Sequence, residues 1–395
     1  MDNLIEILQA KEIENSKVFN DELLKALDEP VNSPTLDELI VQEPKVALII
    51  EGSTSSHYAS QSVTTLVRQL VELIVPSERI TVLIGDVMRE NGRNDIVEAL
   101  KNSAGLLNIK IVDHTWYSSN LVEIGSTHSG TPIIVDRDYT EANIRIAIGE
   151  TRLDSHTGFI GAHTAVIPGI ASPQTLTENR RNYFKALIEP GVLEMNPVKE
   201  DQIEAVKQAK LNASINIAVN PRGDLLGIYY GEFEGSWGKA ITALEGSYEL
   251  TVDKQADITV VSAGGFRYDF NLYNASWALR EASKITKRNG TIILLAECSE
   301  GLGAEAFTKL SRVTDPSEFE RRYTYGADAL QMLNKMSKTQ RIILVSGLPK
   351  YLAESFGVET ARTANEAYQL AMGGRRNRST YVVPFGSTCK FNVKD

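Results

Sequence analysis

The chain has 395 residues, 42% of them hydrophobic and 23% charged, and carries a formal net charge of −10. That balance is ordinary for a globular protein, and the length suits two domains better than one core. An acidic chain is a poor partner for phosphate backbones, which are bound by Lys and Arg, so no nucleic-acid role is expected.

The first residues, M-D-N-L-I-E-I-L-Q-A-K-E, read as an acidic amphipathic helix and not as a signal peptide. The first 44 residues as a whole read as polar and helical, closing in a Pro-bearing turn. Short apolar runs then alternate with helical patterns: Val46 to Ile50, a helix near Ser60 to Ile74, Ile80 to Ile84, a helix near Asn94 to Lys101, and Ile109 to Val112. Apolar strands separated by helices of this length predict a parallel sheet covered on both faces. Its ligands would collect past the carboxyl ends of the strands, in loops beginning at Glu51, Gly85 and Asp113. Further strands are expected at Ile133 to Val135 and Ile144 to Ile148. Thr175 or Thr177 is expected to cap the next helix, and another helix lies near Lys199 to Lys210.

Strands Ile215 to Val219 and Leu225 to Tyr230 flank Asn220-Pro221-Arg222-Gly223-Asp224, which has hairpin-turn chemistry. A second β/α series follows, with strands at Ile258 to Val261, Thr291 to Ala296, Arg341 to Ser346 and Tyr381 to Val383. Its helices lie near Ala275 to Thr286, Ala304 to Arg312 and Thr360 to Met372. The expected fold class is α/β: two β/α domains with a cleft between them. The larger would occupy 1–255 and the smaller 256–395, with the hinge somewhere in 245–260. No run approaches the roughly 18 apolar residues of a membrane span. Cys298 and Cys389 make no disulfide framework, which suits a reducing cytoplasm. An oligomer is compatible with the sequence, which does not specify one.

All five histidines fall between 57 and 163, and two of them lie in D-S-H-T-G-F-I-G-A-H-T-A-V-I-P-G, residues 154–169. Imidazoles suit proton transfer near neutral pH and metal ligation. On a straight helix His156 and His163 would stand about 10.5 Å apart, so only a bent, Gly-broken backbone would let them share a metal. His114 follows Asp113 at a strand end, where a catalytic base is expected; the plainer reading is a loop histidine. His57 ends E-G-S-T-S-S-H, which lacks the phosphate-loop pattern, and His128 reads as a turn residue. Cys298 reads as a packed cysteine in preference to a nucleophile. Arg89, Arg152 and Arg180 could each pair with a carboxylate, or be surface charges.

With these pieces in order the chain resembles the lactate racemase family, the nickel-dependent racemases and epimerases of 2-hydroxy acids. The resemblance runs from about 45 to 386. It is carried by G-D-V-M-R at 85–89, D-H at 113–114, G-S-T-H-S-G-T-P at 125–132 and G-F-I-G-A-H-T-A-V-I-P-G-I at 158–170. In the second domain it is carried by V-S-A-G-G-F at 261–266, N-L-Y-N at 271–274 and A-E-C-S-E-G at 296–301. It implies a nickel-pincer nucleotide tethered through a lysine and held by a histidine, with two further histidines shuttling the hydroxyl proton of a small hydroxy acid. His114 matches one of those two, and the other falls on Asp154, with His156 two residues on.

The tethering lysine falls on Thr164, and the nickel-binding histidine on Arg180 after Asn179. The early arginine-bearing loop has become E-G-S-T-S-S-H, and a lysine of the second domain has become Trp277. The resemblance thus points to His114, His156 and Asp154 as catalytic. It points to Ser53, Ser55, Arg89, Gly161, Thr164, Arg180, Tyr273 and Trp277 as lining the cofactor, held non-covalently. Two alternatives stand beside it. One is an isomerase or lyase using another divalent metal, recruiting His57, His114, His156 or His163; the other is a non-catalytic binding protein on the same scaffold.

Overall fold

The structure is a computed structural model describing residues 3–12, 17–89, 91–103 and 109–394. It divides into two compact units. The first takes Ile13–Arg152 and His156–Glu245; the second takes Met1–Glu12, Leu153–Ser155 and Gly246–Asp395. This differs from a boundary at 255/256 in that the second unit opens at Gly246, includes three residues from 153 to 155, and claims the first residues of the chain.

In chain order the elements are β1 (Leu4–Ile7), α1 (Phe19–Asp28), β2 (Val46–Glu51), α2 (Ser56–Glu72), β3 (Ile80–Gly85), α3 (Asn94–Lys101) and β4 (Lys110–His114). They continue with β5 (Leu121–Ser126), β6 (Pro132–Asp136), α4 (Arg137–Glu141), β7 (Ile144–Asp154), β8 (Gly158–Ile160), α5 (Pro173–Arg181) and α6 (Pro197–Gln208). Then come β9 (Ala213–Val219), β10 (Leu225–Gly231) and α7 (Phe233–Leu244).

The main sheet of the first unit has the order β10-β9-β7-β2-β3-β4. All its strands run parallel except β10, which pairs antiparallel with β9 through the expected Asn220–Asp224 turn. Every residue of β2 is buried, because helices cover both faces and leave no solvent side to alternate with. Helix α2 presents Ala59, Ser62, Val63, Leu66, Val67 and Leu70 to this core at the three- and four-residue spacing of one helical face. The chain leaves β2 toward β3 and β4 on one side, and β7 lies on the other. The order therefore reverses between β2 and β7, and a doubly wound sheet offers its ligand crevice beyond the carboxyl ends at such a point.

Three expectations are corrected here. Leu4–Ile7 is a strand, not a helix, and pairs parallel with Thr380–Val383 of the second unit. The strand beginning at Ile144 continues to Asp154, because β9 pairs with it as far as Thr151 and β8 packs on its end. Ser172, not Thr175 or Thr177, caps α5: its hydroxyl accepts the Thr175 N–H at 3.1 Å, with Pro173 in the first turn.

The second unit has a six-stranded sheet in which Ala256–Ser262, Thr286–Leu295, Arg341–Val345 and Glu359–Ala361 are successive parallel neighbours. The helix expected near Thr360 to Met372 begins only at Ala364, after the short strand Glu359–Ala361. A helix at Ala327–Ser337 has no counterpart in the sequence reading.

Candidate functional site

At the carboxyl ends of β2, β3 and β7 the first unit gathers charge that the sequence left unpaired. Glu51 ends β2 and accepts the Ser53 hydroxyl at 2.6 and 2.7 Å, while Arg152 stands 3.7 Å away. Arg152 also meets Glu150 at 3.1 Å, and Glu150 accepts the Ser55 N–H at 2.8 Å. Ser53 and Ser55, expected to line a cofactor, are thus engaged with the protein, Ser55 further capping α2 by accepting the Tyr58 N–H. Beyond β3, Asp86 and Arg89 pair at 3.1 Å, both buried. Gly52 permits this crowding, since a Cβ there would overlap Asp86. Burial pushes the Asp86 carboxyl up to about 6, against the pull of Arg89 and then Arg93. Asp86, Glu51 and Glu150 were missed as site residues. Glu51 opens a loop expected to collect ligands and Asp86 lies in the G-D-V-M-R motif, but neither carboxylate was singled out, and Glu150 lies inside β7.

His114 closes β4 and is fully buried. Its Nδ1 lies 3.3 Å from Asp136 Oδ2, and its Nε2 lies 3.0 Å from the Ala171 carbonyl. Asp136 reaches this position because it ends β6, and the bridge between Val135 and Ala171 brings the segment after Gly169 alongside. His156 is also buried. Its ring stands edge-on to Tyr183 with centroids 5.5 Å apart, and its carbonyl accepts the Asn196 amide at 2.9 Å. Asp154 is the half-buried last residue of β7.

The Gly-rich segment between them is a packed structure and not an open loop. Ala162–Ala165 form a 3-10 turn, and Gly161 is where Trp237 and Asn216 press closest: a Cβ would overlap Trp237 Cδ1 and stand 2.7 Å from Asn216 Oδ1. Thr164 donates its hydroxyl to the Gly161 carbonyl at 2.7 Å. His163 is fully buried between Trp237 and Phe233, with ring centroids 4.6 and 5.8 Å away, and neither ring nitrogen has a hydrogen-bond partner among the described residues. Burial lowers its ionisation to about 3, with the Gln202 side chain acting in the opposite direction. His57 is exposed in the first turn of α2. His57 and His163 are not brought into a donor set: among the described residues, no group of three or more His, Cys, Asp or Glu side chains could hold a metal ion.

Arg180 lies in the last turn of α5, buried, with no acceptor among the described residues for its Nε or Nη1. Its neighbour Asn179 donates to the Val198 carbonyl and to Asp201. In the second unit, Tyr273 and Trp277 are buried on one helix, Leu272–Ile285, with rings 6.3 Å apart. Cys298 is buried there too, and burial pushes its thiol up to about 12, which suits a packed residue and not a nucleophile.

The lactate racemase N-terminal domain model matches residues 1–188, and the lactate racemase C-terminal domain model matches residues 251–388. A lactate racemase of Lactiplantibacillus plantarum is 29% identical over 96% of this chain and 92% of its own. One from Thermoanaerobacterium thermosaccharolyticum is 26% identical over 92% and 88%. Among solved structures, a lactate racemase apoprotein from Thermoanaerobacterium thermosaccharolyticum aligns with a TM-score of 0.79 at 23% identity, covering 99% of this chain and 95% of that one. A Thermotoga maritima protein aligns at 0.74 with 16% identity, covering 97% and 100%, and these two likenesses bear on the fold. Family models for both domains and curated relatives spanning nearly the full length agree: the chain belongs to the lactate racemase family.

Proposed function

We propose that this protein inverts the hydroxyl-bearing carbon of a small 2-hydroxy acid. Family membership supports the reaction class, and the observation that carries the reading is the buried His114–Asp136 pair at a strand's carboxyl end. In this reading Asp136 fixes the imidazole through Nδ1, and Nε2 is the atom that exchanges a proton with the substrate hydroxyl in place of the Ala171 carbonyl. His156, buried beside Tyr183, is the second proton carrier, with Asp154 the alternative. Arg89 and Asp86 hold the polar wall past β3, and burial of both excludes water from it.

A nickel-pincer nucleotide of the family's kind would supply the hydride acceptor, but the residues present do not fit its usual anchors. Thr164 offers a hydroxyl already donated to Gly161 where an amine would be needed. Arg180 offers a guanidinium that stays protonated and cannot ligate a metal. The chain's own residues therefore account for moving the hydroxyl proton and for orienting the acid; inversion also needs the hydrogen on the carbon to leave and return as hydride, which a cofactor bound without these two anchors would accept.

The test is stereochemical. Single enantiomers of lactate-sized to malate-sized 2-hydroxy acids, lactate first, are incubated with the protein as purified and read by chiral chromatography. His114→Asn and His156→Asn should each slow inversion by roughly a hundredfold or more, the scale of a lost general acid or base. Unchanged rates in both variants would sink the assignment, and absence of inversion for every acid would sink the reading.

A further inference from the structure

We propose that Arg180 is the receptor for the carboxylate of the small acid, an inference that rests on the reading above and extends it. The other buried arginines of the first unit are tied to acceptors. Arg93 meets Asp95 and the Thr54 carbonyl, Arg152 meets Glu150, and Arg89 meets Asp86. In the same turn of α5, Arg181 is exposed and paired with Glu178. Single nitrogens of Arg89 and Arg93 also lack a hydrogen-bond partner, but each of those side chains has an acceptor elsewhere; Arg180, 4% exposed, has none for its Nε or Nη1 and no ion pair among the described residues.

A guanidinium cannot shed its proton to escape burial, so leaving it without a counter-charge is costly. The partial negative charge at the end of α5 offsets less than that cost. A planar fork of N–H donors in a buried place fits an anion with two oxygens, and a carboxylate accepts two parallel bonds from it.

The location matches the chemistry. Helix α5 passes directly into the 3-10 turn Asn182–Lys185, and residues three apart on such a path share a face. Arg180 therefore lies on the side that carries Tyr183, whose ring meets His156. A carboxylate on Arg180 would set the neighbouring hydroxyl-bearing carbon close to that imidazole. The resemblance puts a nickel-holding imidazole at this position; in this chain the side chain can attract only an anion.

The experiment uses the full chain. Binding of glycolate, both lactates and malate is measured by titration calorimetry and by the shift in thermal midpoint. Neutral lactamide, inorganic phosphate and ionic-strength-matched sodium chloride are run alongside. Arg180→Gln should weaken the best-bound acid at least about tenfold, the scale of one lost charge-assisted pair, while Arg180→Lys retains part of the affinity. Lactamide should bind wild type no better than it binds Arg180→Gln.

Ligand-free Arg180→Met should melt at or above the wild-type midpoint, because it removes an uncompensated charge; a midpoint well below would mark Arg180 as a structural cation and overturn the proposal. Equal affinity of the acids for wild type and Arg180→Gln also overturns it, as does Arg180-dependent binding of phosphate with none of the acids. Turnover separates this inference from the reading beneath it. Arg180-dependent binding without inversion sinks only the proposed reaction, and inversion with Arg180-independent binding sinks only the receptor.

Discussion

Replacing His163 with Phe should remove an acid sensitivity built into the core of the first unit. The ring is fully buried against Trp237 and Phe233, and burial lowers its ionisation from 6.5 to about 3. The fold therefore holds the neutral form. Between these two values the unfolded chain binds a proton that the folded one refuses, so the contribution is whole above pH 6.5 and is lost as pH falls toward 3. The slope is about 1.4 kcal/mol per pH unit, and at pH 5 the loss has reached about 2 kcal/mol. That figure holds for any folded value below about 4, because the folded ring is then neutral at pH 5 in either case.

Urea unfolding at pH 7 and pH 5, followed through far-UV circular dichroism, gives the change in stability for wild type and for His163→Phe. Carboxylates that titrate in the same interval are common to both proteins and cancel in the difference. Wild type should lose about 2 kcal/mol more than the variant on acidification. A double difference under about 0.5 kcal/mol, the ordinary failure of additivity, would refute the assignment of a neutral, enclosed imidazole.

Gly161→Ala has no strained dihedral to blame, since the backbone there is extended, yet its Cβ would meet Trp237; a loss of about 1–3 kcal/mol in unfolding free energy is expected. Ser172→Ala removes the side-chain acceptor at the start of α5 and should lower stability by about 1 kcal/mol in the same assay. Because Thr164 lacks an amine, the denatured chain should show the mass of the unmodified polypeptide in intact mass spectrometry, and any nickel present should separate from it in denaturant; a covalent adduct would contradict this.

The central strands were legible because burial on both faces leaves an unbroken apolar run: Val46 to Ile50 and Ile80 to Ile84 lie within strands that extend one residue further. Helix Asn94–Lys101 was legible to the residue. Leu4–Ile7 was not, since four residues do not define a period and their partner lies at Thr380–Val383. Helix α7 was missed because Gly235 and Gly238 interrupt a pattern that Phe233, Trp237 and Leu244 complete only by packing. Of the proposed site, His114 and His156 stood out by residue type, while the departures at Thr164 and Arg180 were visible only through the resemblance to the family. The roles of Asp136, Glu150 and Gln202 could not, because each depends on a contact more than twenty residues away.

The pairing of Leu4–Ile7 with Thr380–Val383 joins the first element of the chain to one of the last. During synthesis Leu4–Ile7 leaves the ribosome well before the strand it pairs with. At about 5–20 residues per second, its complement emerges roughly 20 to 75 s later. Throughout that interval Leu4, Ile5 and Ile7 are a sticky leader in search of an edge. Removing Leu4–Ile7 should therefore leave the finished Thr380–Val383 strand with a bare flank open to other molecules.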